Sequence, residues 1–147
     1  MSEHSTPGIE AAWLISGAGR GALLLLDEPL SFWGGVDPAT GRISQVRHPQ
    51  CGQSVAGRML ALQGTIGSSS SSAVMLELIR NGKAPAGLLL AEPDAILLLG
   101  CIVAREMGWT APPAMQVPVT AMLALLPGDY AIDADGLRLR SAEALHL

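Results

Sequence analysis

The sequence predicts a mixed α/β fold, with a mixed sheet or partly closed barrel and helices on one side. Three observations lead to this class. A block of short strand-like runs opens the chain, strand and helix patterns then alternate, and a hairpin pattern closes it. With 147 residues the chain is long enough for one domain with a substantial core. We therefore expect residues 1–147 to form a single domain in which residues 1–10 are a loose leader.

Short strands joined by turns are predicted for the first part of the chain. The runs 13–16 and 22–27 are predicted strands, separated by a glycine-rich turn at 17–21. The second strand contains an uninterrupted apolar run, which indicates burial on both of its faces. Further strands are predicted at 43–47 and 58–62, and His48-Pro49 ends the first of them.

Helices and strands alternate in the second half. A helix is predicted at 70–81, with apolar residues at helical spacing, a serine at its start and Gly82 just after its end. A buried strand at 88–90 and an apolar, largely buried helix from Pro93 to Gly108 follow. The remaining predicted elements are a strand at 116–119, a short helix or turn at 121–126, and a hairpin of 130–133 with 137–140 around Asp135-Gly136.

The composition narrows the classes of partner. The chain is 49% hydrophobic and 15% charged, so we expect a partner to cover part of its apolar surface; a core rich in Ala and Leu is the alternative. A net charge of −4 and a single lysine argue against nucleic-acid binding. Glu92-Pro93-Asp94 interrupts the longest apolar stretch, which argues against a membrane span. Cys51 and Cys101 lack metal-ligand spacing, and with no signal-peptide pattern at residues 1–5 the chain is expected to be cytoplasmic.

The most informative stretch is Gly64-Thr65-Ile66-Gly67 followed by the five serines 68–72. A glycine-rich turn that opens a helix presents free backbone N–H groups and hydroxyls at the positive end of the helix dipole, which suits a bound anion. Ordinary N-capping is the alternative, and the spacing alone does not decide between them. No lysine follows as in a Walker loop, and the glycine spacing of a hydrolase elbow is missing.

Two further polar residues lie in loops. His48, from the residues alone, fits a structural hydrogen-bonding role better than a binding role. Asp37 follows Gly34-Gly35-Val36, where its default role is to stabilise the turn through its own backbone. Cys101 lies in the second predicted helix and is expected to be a small core residue.

Four motifs follow one another along the chain. They are Gly34-Gly35-Val36-Asp37-Pro38-x-Thr40-Gly41-x-Ile43, His48-Pro49-x-x-Gly52-x-Ser54-x-x-Gly57, Gly67-Ser68-Ser69-Ser70-Ser71-Ser72, and Leu76-Glu77-Leu78-x-x-Asn81-Gly82-x-Ala84-Pro85. In this order they resemble the small subunit, or swivel domain, of the aconitase X family, over about residues 13–140. The resemblance implies a swivelling β/β/α three-layer domain with a barrel-like sheet. It also implies a dehydratase that is inactive without a large subunit, which ligates an iron–sulfur cluster; no metal is expected in this chain.

The resemblance also assigns roles to residues. Ser68 matches the catalytic serine that aconitases proper carry in a Gly-Ser-Ser-Arg turn, while Ser70 stands where those enzymes have the arginine. Recognition of a carboxylate-bearing substrate would then fall to Gly67, Ser69 and Ser70. Asp37 and His48 are expected to line the mouth of the site.

Two substrates are compatible with the resemblance. The first is cis-3-hydroxy-L-proline, which would be converted to Δ1-pyrroline-2-carboxylate, as the resemblance implies for bacterial members of the family. The Ala/Leu/Gly-rich, lysine-poor composition of this chain favours a bacterial member. The alternative substrate is phosphomevalonate, in which case the chain would be the small subunit of a phosphomevalonate dehydratase. Two other functions remain open, a stand-alone module that binds a small anion and a scaffold subunit whose serines only cap a helix.

Overall fold

The computed structural model describes residues 8–142, so residues 1–7 of the predicted leader lie outside the described residues. The strands within that range are β1 (Ala12–Ile15), β2 (Gly19–Leu25), β3 (Met59–Leu62), β4 (Gly87–Leu90), β5 (Ala114–Gln116), β6 (Gly128–Asp133) and β7 (Gly136–Ala142). The helices are α1 (Phe32–Gly35), α2 (Ser71–Arg80), α3 (Ala95–Glu106) and α4 (Val119–Leu123). The segment α1 is a kinked turn rather than a regular helix, because Trp33 and Gly34 have non-helical dihedral angles.

The strands form one mixed sheet, as the sequence predicts. Within residues 8–142 it has seven strands in the order β1-β5-β4-β3-β2-β6-β7. The four central strands, β5, β4, β3 and β2, are parallel. The outer strands are antiparallel, with β1 on β5 at one side and the β6–β7 hairpin on β2 at the other. The predicted hairpin is confirmed, with Asp133 paired to Gly136 across the turn.

The sheet separates two apolar clusters. Leu60 and Leu62 of β3 pack with side chains of α2 and α3, such as Met75 and Leu97. Met59 and Ala61 point the other way, into a second cluster with Tyr130, Ile132 and Met122. Because β6, β7 and α4 cover that second face, the sheet curls into a half-barrel with the two long helices on one side. Continuous apolar runs in β3 and β4 are therefore buried on both faces.

Two expectations for the first part of the chain are wrong. Residues 43–47 are not a strand, because isolated bridges join Val36 to Ile43 and Arg42 to Ser54 and a turn at Gln45–His48 follows. The predicted turn at 17–21 is shorter, because β2 already begins at Gly19 and pairs with β6. Glycine is required there, since a Cβ on Gly19 would collide with the carbonyl oxygen of Ala86.

Other elements differ from the prediction in extent or burial. In β2, Leu24 is buried and Ala22 exposed, so burial on both faces does not extend along the whole strand. The strand predicted at 116–119 lies at Ala114–Gln116, and the short helix predicted at 121–126 is α4.

Helix α3 is not largely buried. Leu97, Cys101 and Ala104 face the core, but Ile96, Leu99, Ile102 and Met107 are 40–53% exposed. The cause is architectural, because the helices form a single layer and the described residues place nothing over the outer face of α3. The helix begins at Ala95, one residue after the capping Asp94, rather than at Pro93.

The two long helices approach closely at Gly100 of α3. A Cβ built on Gly100 would lie 2.7 Å from the carbonyl oxygen of Ser72 and 3.0 Å from Cβ of Met75. The absence of a side chain therefore lets α3 pack directly on the first turn of α2. This contact sets the position of the serine run relative to the sheet.

We expect Gly100→Ala to lower the free energy of unfolding. Alanine in a helix interior otherwise stabilises by about 1 kcal/mol relative to glycine, while overpacking costs about 1–3 kcal/mol. A net loss of stability in urea denaturation therefore means that the steric clash between the helices outweighs the gain in helix propensity. Leu99→Ala, at an exposed neighbouring position, is the control and should change stability by no more than about 0.5 kcal/mol. A stabilised Gly100→Ala variant would contradict this packing.

Candidate functional site

The loops that follow the central strands meet at one edge of the sheet. Because β2, β3, β4 and β5 are parallel, their carboxyl ends lie together, and ligands bind in that position in many α/β proteins. The segment after β2 carries Asp27 and Glu28, the segment after β3 carries the serine turn, and the segment after β4 carries Glu92 and Asp94. The candidate site is the surface formed by these loops.

The serine turn begins α2 with an internal hydrogen bond. The backbone N–H of Ser70 donates to Oγ of Ser68 at 3.2 Å, and the N–H of Ser71 donates to the Ser68 carbonyl at 3.1 Å. Ser70 is the N-cap position by backbone, but its side chain makes no capping bond. The predicted capping of α2 by a serine side chain is therefore wrong, because the N-cap Ser70 makes no such bond. Ser68 instead closes a turn just before the helix, where its Oγ accepts from the N–H of Ser70.

Backbone donors remain free at this helix start. Among the described residues, the N–H groups of Gly67, Ser68 and Ser69 donate to no protein acceptor. Gly67 and Ser69 are exposed, while Ser68 and Ser70 are half-buried. Free donors at the positive end of a ten-residue helix retain the capacity to bind a carboxylate or phosphate.

The hydroxyl of Ser71 lies in a different environment from that of Ser68. Ser71 is 1% exposed, and within the described part of the chain its Oγ has no hydrogen-bond partner. The serines of the run are thus not equivalent. Ser68 combines partial exposure with a hydrogen-bonded hydroxyl oxygen, whereas Ser71 faces inward.

A cleft of about 340 Å³ opens beside the serine turn. It is lined by Thr65, Gly67, Glu92, Pro93, Asp94, Ala95 and Ile96. Asp94 joins the two walls, because it accepts from the N–H groups of Ile96 and Leu97 and from Oγ1 of Thr65 at 2.5 Å. Glu92 and Asp94 are not among the site residues that the sequence predicts. An acidic residue directly before an apolar helix is a recognisable N-cap signal that would have identified Asp94.

His48 lies close to the carboxyl edge of the sheet, but both nitrogens of its ring already have hydrogen-bond partners in the backbone. The residue is 4% exposed, its Nδ1 accepts from the N–H of Gln50 at 3.0 Å, and its Nε2 lies 3.0 Å from the carbonyl oxygen of Glu28. Since Nδ1 is an acceptor, the proton is on Nε2, which donates to Glu28. Both ring nitrogens bind the backbone, which leaves neither for a substrate and favours the structural role.

Asp37 lies away from the serine turn, and its expected place at the mouth of the site stays a prediction. The N–H of Ala39 and Oγ1 of Thr40 donate to its carboxylate, and the Asn81 side chain donates to the carbonyl of the neighbouring Pro38 at 2.9 Å. Asp37 is therefore near the carboxyl end of α2, whereas Ser68 is at its start. The ten residues of α2 separate the two by about 15 Å.

Parts of three of the four family motifs meet in one structural unit. Pro38 contacts Asn81, Val55 donates to the carbonyl of Gly41, and Gly57 donates to the carbonyl of Ala84 at 3.0 Å. These contacts dock the long loop between β2 and β3 onto the end of α2 and the start of β4. The remaining motif contributes Gly67 to the lining of the cleft, whereas Ser68, Ser69 and Ser70 follow it without lining the cleft themselves.

The chain's cysteines do not form a metal centre. Cys51 is exposed and Cys101 is buried. Desolvation by burial, partly offset by Arg105, raises the pKa of Cys101 to about 12, so this thiol stays protonated. Across residues 8–142, no three His, Cys, Asp or Glu side chains lie together as a metal site requires. No helix in that same range has the length and hydropathy needed to cross a membrane.

Comparisons with known proteins agree with the fold. The family model for the aconitase X swivel domain matches residues 9–136. The structure of aconitase X from Thermococcus kodakaraensis in its holo-form superposes with a TM-score of 0.79 at 29% identity, covering 92% of this chain and 100% of that one. This match confirms the mixed α/β swivel fold with its curled, barrel-like sheet.

Two curated relatives carry different substrate names. The chain is 50% identical over 94 residues to the cis-3-hydroxy-L-proline dehydratase of Pseudomonas aeruginosa, which covers 64% of this chain but only 16% of that protein. It is 36% identical over 119 residues to the phosphomevalonate dehydratase small subunit of Methanothermobacter thermautotrophicus, covering 81% of this chain and 86% of the relative. The chain thus spans a small part of the first relative and most of the second.

We expect Asp94→Ala to lower the free energy of unfolding and to loosen the start of α3, and Asp94→Asn to leave both nearly unchanged. Alanine removes the cap of α3 and the bond to Thr65 and should cost about 1–2 kcal/mol, whereas asparagine caps about as well as aspartate. Urea denaturation gives the free energies, and hydrogen exchange at the amides of Ile96 and Leu97 locates the effect. Equal losses in the two variants would contradict the capping role.

Proposed function

Since the chain belongs to the aconitase X family as its swivel domain, we propose that it is the small subunit of a two-subunit dehydratase. In this proposal residues 1–147 form a single domain that acts in the cytoplasm and has no activity until it binds its large subunit. The observation that carries the proposal is the position of Ser68, at the open start of α2 and beside a cleft at the carboxyl edge of the sheet.

Ser68 is proposed as the base that removes the proton alpha to a substrate carboxylate. The carboxylate would bind the free N–H groups of Gly67 and Ser69, with the hydroxyls of Ser69 and Ser70 as further donors. The Ser70 N–H that Oγ of Ser68 accepts, together with the helix dipole, stabilises the oxygen when it carries negative charge. This arrangement replaces the arginine expected at position 70.

The reaction is an elimination of water. The ionised Oγ of Ser68 takes the Cα proton, the electron pair of that bond forms a carbon–carbon double bond, and hydroxide leaves from the neighbouring carbon. The hydroxide becomes water by taking up one proton, which balances the proton removed from Cα and returns Ser68 to its ionised form over the cycle. With cis-3-hydroxy-L-proline the product is an enamine, which tautomerises to Δ1-pyrroline-2-carboxylate. Departure of the hydroxyl is assigned to the large subunit, and so is the iron–sulfur cluster that the resemblance implies, since the described residues offer no ligand set for one.

The outer surface supports a closed complex. Ile66 is 52% and Ile96 is 40% exposed, and both are at or next to the cleft. Leu99 and Ile102 extend this apolar surface along α3, at 50% and 45% exposure. Large apolar side chains grouped in this way are typical of surfaces that bind another protein. We propose that the large subunit covers this face of α3 and excludes water from the cleft.

The proposed substrate is cis-3-hydroxy-L-proline, favoured by the 50% identity to a dehydratase of that name. Phosphomevalonate is the second candidate. The observation that favours it is the coverage of 86% of a relative that is itself a separate small subunit. A stand-alone anion-binding module, the other alternative, would also use the free N–H groups of the serine turn.

We expect Ser68→Ala to reduce kcat of the assembled enzyme by about 10²–10⁴ while leaving assembly intact, as for the loss of an acid–base group. The lost bond to Ser70 should cost about 1 kcal/mol in stability. Ser16→Ala, an exposed serine at the end of β1, is the matched control. Steady-state kinetics and co-purification measure both effects. A Ser68→Ala enzyme with the stability loss but near-normal turnover would leave the serine as a turn-forming residue only.

We expect Leu99→Glu and Ile102→Glu each to weaken binding of the large subunit by tenfold or more, because a central apolar contact contributes about 2 kcal/mol. Circular dichroism of the separate chain should remain unchanged. Val46→Glu tests the same charge at a position that is 86% exposed in the long loop, where no effect is expected. Sedimentation of the mixed subunits gives the affinities. Unchanged affinity in both α3 variants would place the interface elsewhere.

A further inference from the structure

We propose that Thr65 is a positioning residue for Ser68, because its hydrogen bond to Asp94 holds the chain that leads into the serine turn. The inference rests on the proposed function, in which Ser68 is the base, and deepens it by naming a residue on which that base depends. It is carried by the bond between Thr65 and Asp94, by the restraint on Asp94 itself, and by the scarcity of other side-chain contacts between Thr65 and Ser68.

The side chain of Thr65 is bonded to a group that is itself held in place. Oγ1 of Thr65 donates to Oδ2 of Asp94 at 2.5 Å, in a partly buried position. Oδ1 of the same carboxylate accepts from the N–H groups of Ile96 and Leu97 at 3.0 and 3.1 Å. A hydroxyl that donates to a carboxylate forms one of the stronger hydrogen bonds in proteins. Thr65 is therefore tied to the start of α3, and its hydroxyl proton is already used.

The backbone holds the same segment, but only as far as Ile66. Thr65 forms an isolated parallel bridge with the buried Leu30, and the N–H of Ile66 donates to the Leu30 carbonyl at 3.1 Å. Ser68 comes two residues later. The bonds from Thr65 and Ile66 are thus the last restraints on the chain before it reaches the proposed base.

The two residues between Thr65 and Ser68 add little restraint of their own. Ile66 is 52% exposed, and Gly67 is exposed as well. A Cβ built on Gly67 would meet no atom within 4 Å among the described residues. Because glycine also permits a wide range of backbone angles, the direction in which Ser68 points depends on how firmly the chain is held at Thr65.

The proposed chemistry is sensitive to that direction. A base must lie within hydrogen-bond reach of the proton that it removes, and a displacement of about 1 Å can lower a rate by about 100-fold. Thr65 has no contact with the reacting atoms in this proposal and acts only through the position of Ser68. Loss of its hydroxyl should therefore lower kcat by way of the serine.

The test measures kcat of the complex with the large subunit, assembled without oxygen, on the compound that the wild type dehydrates. Valine has the branched shape of threonine without the hydroxyl, so we expect Thr65→Val to lower kcat about tenfold. Thr65→Ala, the second variant without a hydroxyl, should do the same, and Thr65→Ser should restore most of the activity. Thr110→Val, at an exposed threonine before β5, is the matched control and should leave kcat unchanged.

A double-mutant cycle with Ser68→Ala distinguishes positioning from a general structural effect. If Thr65 acts through Ser68, adding Thr65→Val to Ser68→Ala leaves the remaining kcat unchanged. Equal losses in both backgrounds would mean that Thr65 acts on the fold or on the substrate itself, and would overturn the inference. A Thr65→Ser enzyme as slow as Thr65→Val would also overturn it, and so would loss of assembly in both variants that lack the hydroxyl.

The remaining outcomes separate this inference from the proposed function. A slow Ser68→Ala enzyme together with a Thr65→Val enzyme as fast as wild type overturns the role of Thr65 and keeps Ser68 as the base. A Ser68→Ala enzyme with near-normal kcat overturns the proposed role of Ser68 and the inference together. A wild-type complex inactive on both cis-3-hydroxy-L-proline and phosphomevalonate does the same for the dehydratase proposal.

Discussion

The geometry of the candidate site depends on the close packing of α2 against α3 at Gly100. Without a side chain at that position, the carbonyl of Ser72 approaches α3 directly, and the first turn of α2 is fixed over the carboxyl edge of the sheet. The bond from Thr65 to Asp94 fixes the preceding loop to the start of the same neighbouring helix. One helix thus positions the serine turn at two points. The backbone donors of that turn are held in place before any ligand arrives, which reduces the ordering cost of binding.

The two faces of the sheet are covered by different elements. One face and its helices form the larger apolar cluster, and the hairpin with α4 covers the other face, so both clusters lie away from the carboxyl edge. That edge is left to polar loops, while apolar side chains remain exposed along α3. A domain with an apolar cluster on each face of its sheet and an open polar cleft beside an apolar surface is suited to close over the site of a larger partner. Its swivel-domain membership agrees with this division.

Local sequence signals predict much of the fold. The features that they do not predict depend on contacts between residues far apart in the sequence. Helix α2 was predicted at 70–81 and lies at Ser71–Arg80, because its spacing, first serine and final glycine are all local. The serine turn was identified for the same reason. Residues 43–47 resembled a strand but have only isolated bridges, and no local pattern reveals a missing partner. The position of Asp37 depends on contact between Pro38 and Asn81, which are 43 residues apart. Glu92 becomes a site residue only because parallel pairing of β3 with β4 brings it beside Gly64.

We propose that this chain completes the active site of a dehydratase. The most direct measurement is anaerobic co-purification of the chain with its large subunit from the native host, followed by an assay of water elimination on the complex and on each separated subunit. We expect a stable pair that eliminates water from cis-3-hydroxy-L-proline and loses that activity when the chain is removed. A chain that remains alone under gentle conditions, or a large subunit that is fully active without it, would contradict the account.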